Sequence, residues 1–236
     1  METKGPLPLS LATGREGSEG KGGDATVAIV WACRIPVEEY VGAGRSVVVP
    51  RPDCVICQRA MMFWSGYERS VRVGERDYRL WVRRARCRPC GRSVGLVPSF
   101  CLVGRLYGVE VVGGALAAVL NGGCSLGVVA DRLKAPYTTV REWLRRFRRR
   151  AAMLAAGFAA LVVEIGGVAP RLPEEVGRAA LAAIGWVWLA ARLRAGRAVG
   201  SCWSVASLVT GGGLLAATRD TPWIVLGKRR WIPPVP

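Results

Sequence analysis

Histidine is absent from the 236 residues. That excludes the Ser-His and Cys-His nucleophile pairs and every His-ligated metal centre, and it leaves eight cysteines as the only soft metal ligands. Acidic residues are scarce at 17, and lysine is scarcer still, so nearly all of the 34 basic residues are arginine. The formal charge is +17 and the pI about 10.6, a balance that attracts polyanions but says nothing about fold. Long apolar runs are missing as well. Residues 151–167 carry Glu164 and end in two glycines, and 179–191 is a short run between arginines, where a membrane span needs about 20 apolar residues. No apolar stretch near Met1 is long enough for a signal sequence, so the expected setting is cytoplasmic and nucleoid-associated rather than a membrane. An apolar content of 51% excludes a wholly disordered chain.

What charge there is lies in one region. Residues 69–150 hold 18 of the basic residues against five acids (Glu75, Asp77, Glu110, Asp131 and Glu142), a surplus of 13. A single such run reads as a solvated basic face. Two runs that flank recognisable modules favour nucleic acid as the partner.

Residues 1–24, rich in Gly, Ser and charge, read as a disordered head, and 25–50 as an N-terminal segment with a short helix opened by Pro36. A zinc ribbon is expected over 51–100, a helix-turn-helix over 105–152, an apolar helical region over 153–210 and a Gly/Pro-rich tail over 211–236. Strand-like alternation in 61–84 puts Tyr78, Leu80 and Val82 on one side and Arg79, Trp81 and Arg83 on the other. From Val109 onward the period is helical. The expected fold class is therefore α+β, mostly α, with a small β zinc ribbon followed by a helical bundle.

Two cysteine pairs carry the strongest signal. Cys54-Val55-Ile56-Cys57 and Cys87-Arg88-Pro89-Cys90 are each a C-x2-C turn that aims two thiolates at one point, and two such turns complete a tetrahedral four-sulfur site for zinc. Gly91 follows the second pair, where a knuckle often needs positive φ. The 29 residues between the pairs fit a long antiparallel hairpin. Two disulfides, or a coincidence of core cysteines, are the competing readings. With four protein ligands and no open position, the zinc would be structural, not catalytic. Cys33, Cys101, Cys124 and Cys202 stand alone in apolar surroundings and read as small core residues. The hairpin itself is arginine-rich, with Trp64, Tyr67, Tyr78 and Trp81 interleaved, a pattern suited to phosphate contact and base stacking. Arg79 and Arg83 are its candidate DNA contacts.

Farther on, Ser125 can cap a short helix, LGVVADRL, before the break KAPY and the basic helix TTVREWLRRFRRR. A short helix, a tight turn and an amphipathic basic helix form a helix-turn-helix pattern. Its core would be Val129, Ala130, Leu133, Val140, Trp143, Leu144 and Phe147. Tyr137, Thr138, Thr139, Arg141 and Glu142, at the start of the second helix, would reach base edges or nearby phosphates. Arg145, Arg146, Arg148, Arg149 and Arg150 would clamp the backbone. The competing reading is an ordinary basic helical hairpin.

Taken together, DCVIC…WSGYERSVR…VRRARCRPCGRSVGLVPSF and ADRLKAPYTTVREWLRRFRRRA resemble a bacterial family of zinc-ribbon plus helix-turn-helix proteins, similar to the N-terminal DNA-binding part of insertion-sequence transposases. The resemblance covers about residues 26–165. Lys134 stands where such turns usually have Gly, and Val55 and Gln58 stand where the first knuckle usually has Pro and Gly. A transposase of this kind needs three separated carboxylates for two metals, but after Glu142 only Glu164, Glu174, Glu175 and Asp220 remain. The expectation is thus a non-enzymatic double-stranded-DNA-binding protein of a mobile element, an accessory factor or regulator. Its partners would be DNA and either a transposase or a second copy of itself. Two alternatives stay open. One is a truncated or partner subunit of a transposase enzyme. The other is a basic helical protein that binds a partner or a membrane surface.

Overall fold

A computed structural model describes residues 27–54, 56–196 and 199–216. The expected head at 1–24 and the WIPPVP ending lie outside the described residues.

Four strands make one mixed sheet in the order β1-β4-β3-β2. Strands β2 (Met62–Val73) and β3 (Arg76–Arg86) form a hairpin that turns at Gly74 and Glu75. Strand β3 pairs antiparallel with β4 (Ser93–Pro98), and β4 pairs parallel with β1 (Val27–Trp31). The expected alternation holds, with Leu80 and Val82 buried and Arg79 exposed. One irregularity interrupts it: Phe63 opposes Ala85 and Ser65 opposes Arg84, so Trp64 is the extra residue of a bulge. Helix α1 (Val37–Ala43) packs on β3. Its Tyr40 is fully buried, donates its hydroxyl to the Trp81 carbonyl at 2.9 Å and meets Phe100 edge-on at 5.5 Å. Residues 25–50 are thus not a separate piece. The apolar run VAIVW pairs with the free edge of β4, whose six residues are all buried.

The helical part comprises α2 (Val109–Leu120), α3 (Leu126–Leu133), α4 (Tyr137–Gly166), α5 (Val176–Ala195) and α6 (Cys202–Val209). The boundary expected at 152/153 falls inside α4, a single 30-residue helix. Along it Val140, Trp143, Leu144, Phe147, Ala151, Leu154, Phe158, Leu161 and Val162 are buried at three- and four-residue steps. That unbroken stripe gives the helix no place to end, so both expected segments share one core, which runs from Leu102 to Leu215. Leu214 and Leu215 are buried in it, so the chain leaves the core later than the expected tail boundary at 211. Helix α5 is long and apolar enough to cross a membrane by length and composition. In this fold it buries Ala180, Ala183, Ile184 and Val187 in the same core and exposes Trp186, Leu189 and Leu193.

The sheet and the helices are joined at the hairpin's turn end. The Arg72 N–H donates to the Leu106 carbonyl, and the Gly108 N–H donates back to the Arg72 carbonyl, both at 2.8 Å. The Arg72 guanidinium lies 5.5 Å from the Tyr107 ring centroid, and Tyr107 meets Trp143 of α4 edge-on at 4.8 Å. Asp77 holds Arg72 in place with two 2.6 Å hydrogen bonds. Lys134, just before α4, reaches Glu75 at the hairpin turn at 2.8 Å.

Gln58 and Lys134 are the two non-glycine residues with positive φ among the described residues, at 59° and 49°. They stand at two of the positions where the resemblance expects glycine. The backbone there is left-handed regardless of the side chain, and Lys134 caps α3 with its N–H on the Ala130 and Asp131 carbonyls. Lys134→Gly relieves about 1–2 kcal/mol of left-handed strain and costs about 0.5–1 kcal/mol of chain entropy. The exposed Glu75 pair adds little. We expect Lys134→Gly to be neutral to mildly stabilising and Lys134→Val, with its branched Cβ, to lose more than about 1 kcal/mol, both read by urea unfolding. Equal stability of the two variants would contradict the left-handed turn.

Candidate metal centre and basic surface

Each cysteine pair sits in a turn built the same way. The Cys54 N–H donates to the Arg59 carbonyl and the Cys87 N–H to the Arg92 carbonyl, both at 2.8 Å and both five residues on. The residue four places after each first cysteine, Gln58 or Gly91, has positive φ, as expected for Gly91. These two matching turns bring the Sγ atoms of Cys54, Cys57, Cys87 and Cys90 within 4.8 Å of one another. Cys54 and Cys90 are 3.5 Å apart, and Cys57 and Cys87 3.3 Å. A tetrahedron of sulfurs at the usual bond length of about 2.3 Å has edges of about 3.8 Å. The cluster therefore has the size and donor set to hold a metal ion. All four cysteines are free thiols, at distances far beyond a disulfide bond of about 2.05 Å.

The electrostatics of so compact a set are unequal. The Cys57 backbone N–H, followed by that of Ile56 and by the neighbouring thiols, draws Cys54 down to about 6. At Cys87 the Cys90 N–H also favours the thiolate, but burial and the three neighbouring sulfurs prevail and push it up to about 12. Four thiolates this close repel one another, and only a cation among them makes all four compatible. The remaining cysteines behave as core residues where burial dominates, with Cys33 and Cys202 pushed up to about 11 and Cys101 to about 12.

Helix α4 carries one exposed basic stripe. Helix α3 is capped by Ser125, whose hydroxyl accepts the Val128 N–H at 3.3 Å. The turn at Lys134–Pro136 then launches α4 with Tyr137 half-exposed and Thr138 exposed, while Thr139 is half-buried and its N–H bonds the Pro136 carbonyl. Val140, Trp143 and Phe147 turn inward. On the outer face Tyr137, Arg141, Arg145 and Arg149 follow at four-residue steps, with Arg148 beside them, and all are exposed. The Arg141 guanidinium lies 6.0 Å from the Tyr137 ring centroid.

Three residues depart from their expected roles. Arg150 is buried and donates to the Ala216 carbonyl at 3.3 Å, because its position falls on the inward stripe of α4. Glu142 is held by its own helix: Arg145 Nε and Arg146 Nε each donate to it at 2.6 Å. Arg146 is consequently only 18% exposed. Arg79 is exposed beside Glu68 at 3.4 Å. Arg83 donates to the Arg45 carbonyl at 2.5 Å and lies over Phe63. The partners of these two are on the hairpin and the 44–46 turn, none on α4. Trp81 is packed between Arg45, 4.4 Å from its centroid, and Gly66 across the hairpin. A cleft lined by Met62, Phe63, Trp64, Arg86 and Arg88, near the second knuckle, was not foreseen from the alternation. The bulge that opens it leaves no mark in a period-two pattern.

No family model matches the chain, no curated protein matches it, and no solved structure matches its fold.

Hydrogen bonds from Arg145, then from Arg146, lower the Glu142 pKa from 4.5 to about 2. A carboxylate with a depressed folded pKa contributes stability above its unfolded pKa and loses it as pH falls toward the folded one. Because the pair is partly exposed, the contribution is about a few tenths of a kcal/mol. Glu142→Gln should therefore be slightly less stable than wild type at pH 7, the gap closing between about pH 4.5 and 2 in parallel urea titrations. A gap that does not change with pH would refute the assignment.

Proposed function

We propose that this protein is a non-enzymatic double-stranded-DNA-binding protein whose fold is tied together by a structural Zn2+ on Cys54, Cys57, Cys87 and Cys90. The observation that carries the reading is the exposed stripe Tyr137, Arg141, Arg145 and Arg149, with Arg148 beside it, on the face of α4 opposite Trp143 and Phe147. A basic helix that follows a short capped helix and a left-handed turn presents its first residues to a major groove and its later arginines to phosphates. Tyr137, Thr138 and Arg141 are then the candidates for base edges, and Arg145, Arg148 and Arg149 for the backbone. Arg79 on the hairpin supplies a further phosphate contact. Zinc suits a site of four thiolates without an open position, where it contributes folding free energy and activates no water. The resemblance to transposase N-terminal regions supports a mobile-element setting, as an accessory factor or regulator.

A second reading has its own observation. Helix α5 exposes Trp186, Leu189 and Leu193 near Arg192 and Arg194, a combination suited to an anionic lipid surface or a partner helix. Co-flotation with anionic vesicles, undiminished by competing duplex, would favour it.

Arg145→Ala with Arg149→Ala should weaken binding to all duplex sequences and lessen the log–log salt slope by about one unit per lost phosphate contact. An unchanged slope would remove α4 from the interface. For the metal, Cys87→Ser should lose zinc by elemental analysis and unfold the sheet, while Cys124→Ser should retain both; full zinc content in Cys87→Ser would refute the four-sulfur site.

A further inference from the structure

We infer that the cleft lined by Met62, Phe63, Trp64, Arg86 and Arg88 is a second nucleic-acid site, one that takes an unstacked nucleobase of a single strand. The cleft measures about 370 Å3, within the range of small-molecule sites. Three consecutive large apolar residues face solvent there, Met62 and Phe63 at 37% and Trp64 at 53% exposure. In a regular strand, alternation would turn at least one of them inward. The bulge at Trp64 breaks that alternation, and among the described residues β2 is an edge strand whose outer side is bridged at Arg72 and not at Met62–Trp64. An exposed aromatic run on a sheet edge is an association hazard unless something uses it.

The indole is held in place. Its N–H donates to Ser93 Oγ at 3.2 Å. The guanidinium carbons of Arg84 and Arg86 lie 5.3 and 5.9 Å from its centroid, and Arg83 lies 5.1 Å from that of Phe63. Arg86 and Arg88 are themselves exposed at the rim. An indole that stays 53% exposed although Arg84 and Arg86 lie over its ring matches what a single strand offers, a π-face for stacking and phosphates for the guanidinium groups. A duplex keeps its bases stacked inside and cannot present one.

The site is distinct from the proposed duplex surface. Met62 opens β2, whereas Glu75, which contacts the turn before α4, follows its end. The twelve residues of β2 separate them by about 35 Å of strand. The inference therefore stands on the cleft's own residues and does not require duplex binding by α4.

The test uses the full chain with three probes: a thymidine hexamer and a uridine hexamer, each with one central 2-aminopurine, and a blunt 16-base-pair duplex. Both hexamers should bind, and stacking in the cleft should quench the 2-aminopurine. Trp64→Ala should weaken hexamer binding about tenfold or more and leave duplex affinity unchanged, while Trp64→Phe should retain most of the hexamer affinity. A preference between the two hexamers would identify DNA or RNA as the source of the strand. Hexamers that fail to bind, that bind wild type without quenching, or that bind Trp64→Ala as well as wild type would each overturn the inference. The quenching in wild type tests it even where Trp64→Ala does not fold. Hexamer binding without duplex binding would overturn the duplex reading and leave the cleft standing.

Discussion

The convergence of four sulfurs is the constraint on which the rest of the arrangement depends. Cys54 and Cys57 precede β2, and Cys87 and Cys90 follow β3, so the cluster closes the open end of the hairpin. At the other end Arg72 lies over Tyr107, Tyr107 meets Trp143 of α4 edge-on, and Lys134 reaches Glu75. A hairpin tethered at both ends behaves as a strut. With its base closed, the hairpin carries its turn end to the junction where Lys134 reaches Glu75 and Tyr107 meets Trp143. With its base open, the two knuckles, which contribute Cys54 and Cys87 to the sheet's core, would lose that packing as well. Metal binding and folding are coupled in such a design because the unfolded chain has no preformed site.

Thirty-four basic residues invite the simple picture of a charged coat, but the fold sorts them into different tasks. Some serve as structural donors. Arg69 reaches the carbonyls of Leu102 and Arg105, Arg178 that of Leu120, and Arg150 that of Ala216, each binding a backbone oxygen at a junction between elements. Others lie over aromatic rings, Arg45 on Trp81 and Arg84 and Arg86 on Trp64. Of those that remain exposed, Arg141, Arg145, Arg148 and Arg149 share one face of α4, and Arg88 stands at the rim of the cleft beside the second knuckle. Net charge thus counts the arginines, while burial decides which of them are accessible.

Features set by nearby residues were legible in the sequence. The two C-x2-C turns, positive φ at Gly91, the Ser125 cap and the inward residues Val140, Trp143 and Phe147 all follow from spacings of a few residues. Features set across the chain were not. The parallel pairing of β1 with β4 joins residues more than 60 positions apart, and nothing in VAIVW names its partner. Arg150 looks like the end of a basic run, yet the helical period carries it onto the buried face, where Ala216 meets it. Glu142 looks available to a base, but its own helix supplies two arginines at the right spacing. The division at 152/153 cuts across a continuous apolar stripe that keeps α4 a single helix. Left-handed backbone at Gln58 and Lys134 is not visible in the residue types, and only the resemblance, which expects glycine at both places, points to it.

The most direct test is the salt dependence of binding between the zinc-loaded full chain and a random-sequence duplex pool, followed by sequencing of the bound fraction. Four phosphate contacts, from Arg79, Arg145, Arg148 and Arg149, predict a log–log slope of about −3.6. An enriched motif in the bound fraction would show that base edges are read as well as phosphates. Absence of binding at moderate salt, or a slope near zero, would contradict the assignment of α4 as a DNA-binding surface.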